Sequence, residues 1–112
     1  MKREFIYTTV FDRRWEEMGL ADTDLQALEK FIMDNPEAGD IIRGTGGAIK
    51  LRFALPSENK GKRGGVRVIY MDIVRNAHTH LLLCYAKSKQ DDLTNEQTKQ
   101  LKSLVKTLKG ES

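Results

Sequence analysis

Apolar and polar positions change period along the chain, and the changes mark the elements. Residues 3–10, Arg3-Glu4-Phe5-Ile6-Tyr7-Thr8-Thr9-Val10, are dominated by aromatic and β-branched side chains, which suit a pleated surface, so the segment reads as a first strand. The period then lengthens. Phe11, Trp15 and Met18 fall at i, i+4 and i+7 as one helical stripe, and Gly19 is placed to end it. Leu25, Leu28, Phe31 and Ile32 form a second stripe behind Asp22 or Thr23 as N-cap. Asn35-Pro36 closes that stripe, because proline disfavours helical geometry in the residue before it. A helical hairpin is expected.

Beyond Gly44, Gly46 and Gly47 the pattern turns to strands: Ala48–Ala54, then Val66–Val74 and Thr79–Ala86, the last two joined by the polar turn Arg75-Asn76-Ala77-His78. Their apolar positions do not strictly alternate, so both faces should be partly covered. Between the first two strands lies Pro56–Gly65, a basic loop with no apolar anchor. Thr94-Asn95-Glu96-Gln97 fits a capping box, and Leu101, Leu104, Val105 and Leu108 trace a terminal amphipathic helix. The order β-α-α-β-β-β-α predicts one α+β domain over residues 1–112. An antiparallel sheet of about four strands is flanked by the N-terminal helical hairpin and the C-terminal helix.

Composition narrows the function. At 112 residues the chain can bury one core without staples. Cys84 is the only cysteine, set in the apolar run Leu81-Leu82-Leu83-Cys84, which excludes an intramolecular disulfide and reads as a buried structural thiol. No apolar stretch approaches the roughly 18 residues of a membrane span, and Met1–Phe5 lacks a signal-peptide core, so a soluble, cytoplasmic protein is expected.

Charge is the stronger signal. Residues 41–89 carry ten Lys and Arg against only Glu58 and Asp72, whereas residues 1–40 hold five basic and ten acidic side chains. Segregation of this kind produces a directed field, and a positive cleft concentrates polyanions. Nucleic acid is the first candidate partner.

Lys50 and Arg52, two apart on one strand, project from the same face. An antiparallel hairpin through the basic loop would return Arg67 beside them. Like charges opposite one another are destabilising, so such clustering is better explained by an anion, such as a phosphate, than by a solvated strand face or edge. Arg67, at the start of its strand, is read as an exposed cation. Lys60, Lys62 and Arg63 in the loop lack the spacing of a nucleotide-binding P-loop but could close over a nucleic-acid backbone. Tyr85, just before Lys87 and Lys89, could stack on a base or donate a proton; a half-buried strand-end tyrosine is the plainer alternative. His78 and His80 share a face without a third ligand, so no metal site is read there, and no cofactor fingerprint stands out. RNA cleavage suits a site built from Lys, Arg and Tyr, because RNA supplies its own 2′-hydroxyl nucleophile and the protein need only orient the strand and stabilise charge.

Gly39-Asp40-Ile41-Ile42-Arg43-Gly44-Thr45-Gly46-Gly47-Ala48-Ile49-Lys50-Leu51-Arg52, then Gly61-Lys62-Arg63-Gly64-Gly65-Val66-Arg67-Val68-Ile69-Tyr70, Leu81–Lys87 and Asp92-Leu93-Thr94 together resemble the HigB-type branch of the RelE/ParE toxin superfamily. The resemblance implies a compact microbial RNase fold and the toxin half of a type II toxin–antitoxin pair. It implies a ribosome-dependent mRNA endoribonuclease that arrests translation, neutralised by a cognate HigA-like antitoxin that also represses at DNA. Carried over by residue, Arg67 would bind the scissile phosphate, Lys50 would act as base or phosphate ligand, and Tyr85 with Lys87 would complete the catalytic group. Arg52, Lys60, Lys62, Arg63 and Lys89 would bind RNA. Ser88 stands where RelE-like relatives often carry an arginine. Two alternatives remain: a ParE-like poison of DNA gyrase and a non-catalytic RNA-binding module.

Overall fold

Strand pairing decides where each polar side chain of this protein comes to lie, and the pairing is mixed. The computed structural model describes residues 3–55 and 65–110. Five strands, β1 (Glu4–Tyr7), β2 (Asp40–Ile41), β3 (Ile49–Phe53), β4 (Val66–Ile73) and β5 (His78–Ala86), form one sheet in the order β1-β5-β4-β3-β2. Helices α1 (Thr9–Glu17) and α2 (Asp22–Asp34) follow β1, and α3 (Asn95–Leu108) follows β5. The expected element order holds, with two corrections. A short β2 adds a fifth strand, and β1 runs parallel to β5, with Glu4 opposite His78 and Tyr7 opposite Leu81. The neighbour of β1 lies more than seventy residues away in the sequence, out of reach of local pattern.

Two helix starts also differ from expectation. The first strand stops at Tyr7 because the Thr8 hydroxyl accepts a hydrogen bond from Phe11 N at 2.9 Å, capping α1 despite the β-propensity of Thr9 and Val10. At α2 the N-cap is Ala21 rather than Asp22 or Thr23. The buried Asp24 carboxylate reaches back to accept from Ala21 N at 3.1 Å, which satisfies the backbone end without a capping side chain at position 21. The β2 strand depends on Gly39, whose φ is +88°. A Cβ there would stand 2.7 Å from Ile49 Cγ2 and 2.9 Å from Lys50 O, so only glycine lets the chain approach β3.

Each face of the sheet is covered. Phe11, Trp15, Leu28 and Ile32 of the helical hairpin pack on Leu51, Phe53, Val66, Val68, Tyr70, Leu81 and Cys84. On the other face Leu101 and Val105 of α3 pack on Ile69, Met71, Leu82, Leu83 and Tyr85, with Leu104 and Leu108 at the margin. The stripe of α3 is therefore used against the sheet. Phe11 and Trp15, one turn apart on α1, stack on each other with ring centroids 5.5 Å apart.

The run Leu81-Leu82-Leu83-Cys84 breaks alternation because β5 contains a β-bulge. Ile69 pairs with Leu83 and Tyr70 with Leu81, so Leu82 is left out of the ladder. Leu82 and Leu83 consequently both face α3, while Leu81 and Cys84 face the hairpin. The irregularity is held from outside. Thr8 Oγ1 donates to Leu82 O at 2.8 Å, and Thr8 N donates to Leu81 O at 3.1 Å. One side chain thus caps α1 and satisfies the carbonyl that the bulge excludes.

Cys84 is fully buried, its Sγ 3.7 Å from Phe11 O, and burial pushes its thiol up to about 12, with the Arg14 charge opposing and that of Asp12 adding. The thiolate is then available only after unfolding, so this group stabilises the fold fully below its ordinary value near 9 and progressively less as pH rises toward 12. Native protein at pH 8 should be silent to a disulfide-exchange reagent and become reactive in urea; rapid labelling of the native state would contradict the burial. Thr8→Val should cost roughly 2 kcal/mol, from the lost cap and the unpaired carbonyl, whereas Thr8→Ser should retain most of that stability. Urea unfolding midpoints of the two variants decide it, since equal midpoints would separate the hydroxyl from the bulge.

Candidate active site

The bulge rephases the last part of β5, and that determines the site. Arg52 on β3 is the direct partner of Arg67 on β4, and Arg67 is the direct partner of Tyr85 on β5. By strand alternation with Ile69 and Leu83 these three side chains belong to the face that α3 covers, and Lys50, paired with Ile69, shares that face one step along. The hairpin reading of the basic strands is therefore correct: Arg67 returns opposite Arg52, at a Cα separation of about 4.5–5.5 Å. Gly65 makes the return possible. At φ +52° its position leaves only 2.5 Å between a hypothetical Cβ and Phe53 O.

Exposure separates the members of the row. Arg52 is exposed and Lys50 half-buried, but Arg67 retains only 7% of its surface. The reading of Arg67 as an exposed cation is thus corrected: flanked by Val66 and Val68 and neighboured by Tyr85, it is part of the packed sheet. Tyr85 is 3% exposed, and its Oη has no hydrogen-bond partner among the described residues. Burial raises its phenol above the ordinary tyrosine value; the charge of Asp92 adds to this and the Arg67 guanidinium opposes it. Tyr85 is therefore a protonated donor near neutral pH. Its ring packs among Ile69, Leu83 and Leu101, so it presents no stacking surface.

Two carboxylates that the charge pattern did not single out enter the same group. Lys50 Nζ pairs with Asp92 Oδ1 at 3.2 Å, and Lys87 Nζ pairs with Asp91. Lys87 N also donates to Gly65 O, tying the exit of β5 to the entry of β4. Asp91 lies below the ordinary carboxylate value, first through the Lys87 hydrogen bond and its charge and also through Arg67. Asp92 is lowered first by the Leu93 backbone N–H, then by Lys50 and Lys87. Lys50, Arg67, Tyr85, Lys87, Asp91 and Asp92 thus form one electrostatic cluster. The signal for Lys87–Asp91 in the sequence was their spacing of four; that for Lys50–Asp92 was absent, because 42 residues separate them.

Two hollows flank the row. One of about 1110 Å³ opens at the exit of β5, bounded by Arg14, Leu55, Gly65, Tyr85, Lys87 and Lys89. The other, of about 320 Å³, lies beside the sheet edge and is lined by Asp40, Ile41, Arg43, Lys50, Asp92 and Thr98. Lys89 is exposed on the turn after β5. Lys60, Lys62 and Arg63 lie outside the described residues.

His78 and His80 lie apart from this site, at the start of β5, seven and five residues before Tyr85, the nearer roughly 17 Å of strand away. Their rings sit edge to face with centroids 6.0 Å apart, and His78 Nε2 is 3.4 Å from Glu4 Oε1. Burial, then the neighbouring His78, lowers the His80 value. Among the described residues no group of three or more His, Cys, Asp or Glu could hold a metal. Asp72 sits at the same distant end. Its Oδ1 accepts from Arg3 at 2.7 Å and from Thr79 Oγ1 at 2.6 Å, which fastens the N-terminal segment to the sheet. One of the two acids counted within the basic segment is therefore spent elsewhere.

Among the described residues no helix is long and apolar enough to cross a membrane. Two solved structures are similar in fold. A double-arginine mutant of the E. coli toxin RelE in the free state superposes with a TM-score of 0.53 at 15% identity, over 81% of this chain and 90% of that one. The intact E. coli RelBE toxin–antitoxin complex matches with a TM-score of 0.51 at 16% identity, over 76% of this chain and 96% of that chain. At such identities the superpositions establish the architecture alone. The sequence itself matches the family model described as RelE toxin of the RelE / RelB toxin-antitoxin system over residues 3–112, and the chain therefore belongs to the RelE toxin family.

Proposed function

We propose that this toxin is a ribosome-dependent mRNA endoribonuclease of the HigB-type branch, acting in the cytoplasm as one functional unit over residues 1–112 and neutralised by a HigA-like antitoxin. The observation that carries the reading is the in-register row Arg52, Arg67 and Tyr85, with Lys50 and Lys87 beside it. Arginines paired in register on neighbouring strands bring two cations to one face of the sheet, and a phosphate bound there would be met by both. Tyr85 adds a buried hydroxyl with no hydrogen-bond partner among the described residues, an unsatisfied donor at the row.

In this reading the RNA backbone lies along the row. Arg67 binds the scissile phosphate, and Lys50 and Lys87 neutralise charge on the phosphorane. The 2′-oxygen bonds to phosphorus while its proton passes to water, the bond from phosphorus to the 5′-oxygen breaks, and that oxygen takes its proton from Tyr85, which water restores. The products carry a 2′,3′-cyclic phosphate and a 5′-hydroxyl. Arg52, Lys89 and the loop residues Lys60, Lys62 and Arg63 hold flanking phosphates or ribosomal RNA, so their contribution is salt-dependent.

Because Arg67 is buried, Arg67→Lys tests its role better than truncation to alanine, which would remove packing as well as charge. Brief induction of wild type should arrest growth and create new mRNA 5′ ends within translated frames. Arg67→Lys at equal folded expression should lower cleavage by about 10²-fold or more. Arrest without new RNA ends, accompanied by a DNA-damage response, would instead favour gyrase poisoning; undiminished cleavage by Arg67→Lys would remove Arg67 from the reaction.

A further inference from the structure

The cationic row is not presented bare. Asp91 and Asp92 occupy Lys87 and Lys50, two of the cations assigned above to the RNA phosphates. An accidental pair of surface acids would be loosely held, but this turn is built. Lys89 N and Gln90 N both donate to Ala86 O, closing the chain as it leaves β5. Gln90 Nε2 donates to Asp92 O at 2.9 Å and to Gln97 Oε1 at 2.6 Å, and Gln97 Oε1 also accepts from Thr94 N within the capping box of α3. Leu93 N donates to Asp92 Oδ1 at 2.7 Å, the same oxygen that Lys50 approaches. The Leu93 N–H thus orients the Asp92 carboxylate toward Lys50, on a turn tied to the capping box of α3. Asp92 and Lys50 also line the same 320 Å³ hollow, so a phosphate reaching Lys50 from that side also meets the carboxylate.

We propose that Asp91 and Asp92 are specificity-determining residues of the RNA site, carboxylates that stand in for substrate phosphates in the free protein and must be displaced from Lys87 and Lys50 when RNA binds. This rests on the reading of the row as an RNA site. Both acids are charged near neutral pH, since their lysine partners and the Leu93 N–H hold them below the ordinary carboxylate range. Both are also largely solvent-exposed, so each pair is weak and exchangeable rather than locked. The physical consequence is discrimination. A loose single strand that offers phosphates alone loses part of its electrostatic gain to the displaced carboxylates, whereas an RNA held in place by other interactions does not depend on that gain. The acids thus depress non-specific binding while leaving Arg67 and Tyr85 in place.

The test uses the full chain and a fluorescent single-stranded RNA with 2′-O-methyl riboses, which binds but lacks the nucleophile, with anisotropy measured across a salt series. Asp91→Asn and Asp92→Asn should each tighten binding about two- to fivefold, and the double variant about tenfold. The double variant should also steepen the salt slope by up to about 1.4, at about 0.7 for each further phosphate neutralised on a single strand. That slope is a readout that altered packing would not move. Unchanged or weaker affinity in the double variant would overturn the proposal and leave the acids as supports for the lysines. Lys50→Ala and Lys87→Ala in the same assay separate the two ideas. If they weaken binding while the asparagine variants do nothing, only the carboxylate proposal fails; if they change nothing, the RNA site and the proposal fall together.

Discussion

A single extra residue in β5 sets which side chains meet in the candidate active site. Without the bulge at Leu82, Tyr85 would share the parity of Leu81 and point toward the helical hairpin, away from Arg67. With it, the strand satisfies the hairpin core through Leu81 and Cys84 and then turns Leu83 and Tyr85 to the opposite face. Bulges leave backbone groups outside the ladder, and here Thr8 supplies the missing partner from the start of α1. The first helix and the proposed active site are thereby connected through one hydroxyl, though no residue of that helix belongs to the cationic row.

The sheet positions like charges that a loop could not hold. Arg52 and Arg67 are placed on one face by backbone register, and Arg67 is almost wholly buried there, so it has little of the freedom of a surface lysine. Preorganised donors of this kind stabilise developing charge without reorganisation when the reaction occurs. The opposite strategy appears at the exit of β5, where Lys50 and Lys87 are moderated by Asp92 and Asp91 in exchangeable pairs. In the proposed function the arginines and the lysines divide the work: the first define where phosphorus sits, and the second set how readily a polyanion is admitted.

Much of this was legible in the sequence, and what was legible was local. The stripes Phe11/Trp15 and Leu101/Val105, the capping box at Thr94 and Gln97, and the return of Arg67 beside Arg52 all follow from periodicity or from a hairpin joining adjacent strands. The errors have the same origin. The parallel pairing of β1 with β5 and the Lys50–Asp92 contact join residues far apart in the chain, which periodicity does not register. The depth of Arg67 was missed because an arginine beginning a strand resembles an exposed one until the sheet is closed by neighbours on both sides. Broken alternation at Leu81–Cys84 was visible, yet it read only as coverage of both faces. It was also the trace of the bulge.

The division between fixed and adjustable cations bears on how an RNA-cutting toxin could avoid binding nucleic acid indiscriminately. A segment with ten basic and two acidic side chains would bind polyanions broadly if all its charge were presented together. In the folded protein that charge is divided. Asp72 binds Arg3 at the far end, Arg67 withdraws into the sheet, and acids from just beyond the basic segment fold back onto two of its lysines. Within the row itself the arrangement is narrow: a buried arginine, an exposed one opposite it and a protonated phenol, in register across three strands. Such a site rewards a backbone delivered in a defined orientation more than one that merely carries charge, which is the selectivity that the proposed dependence on the ribosome requires.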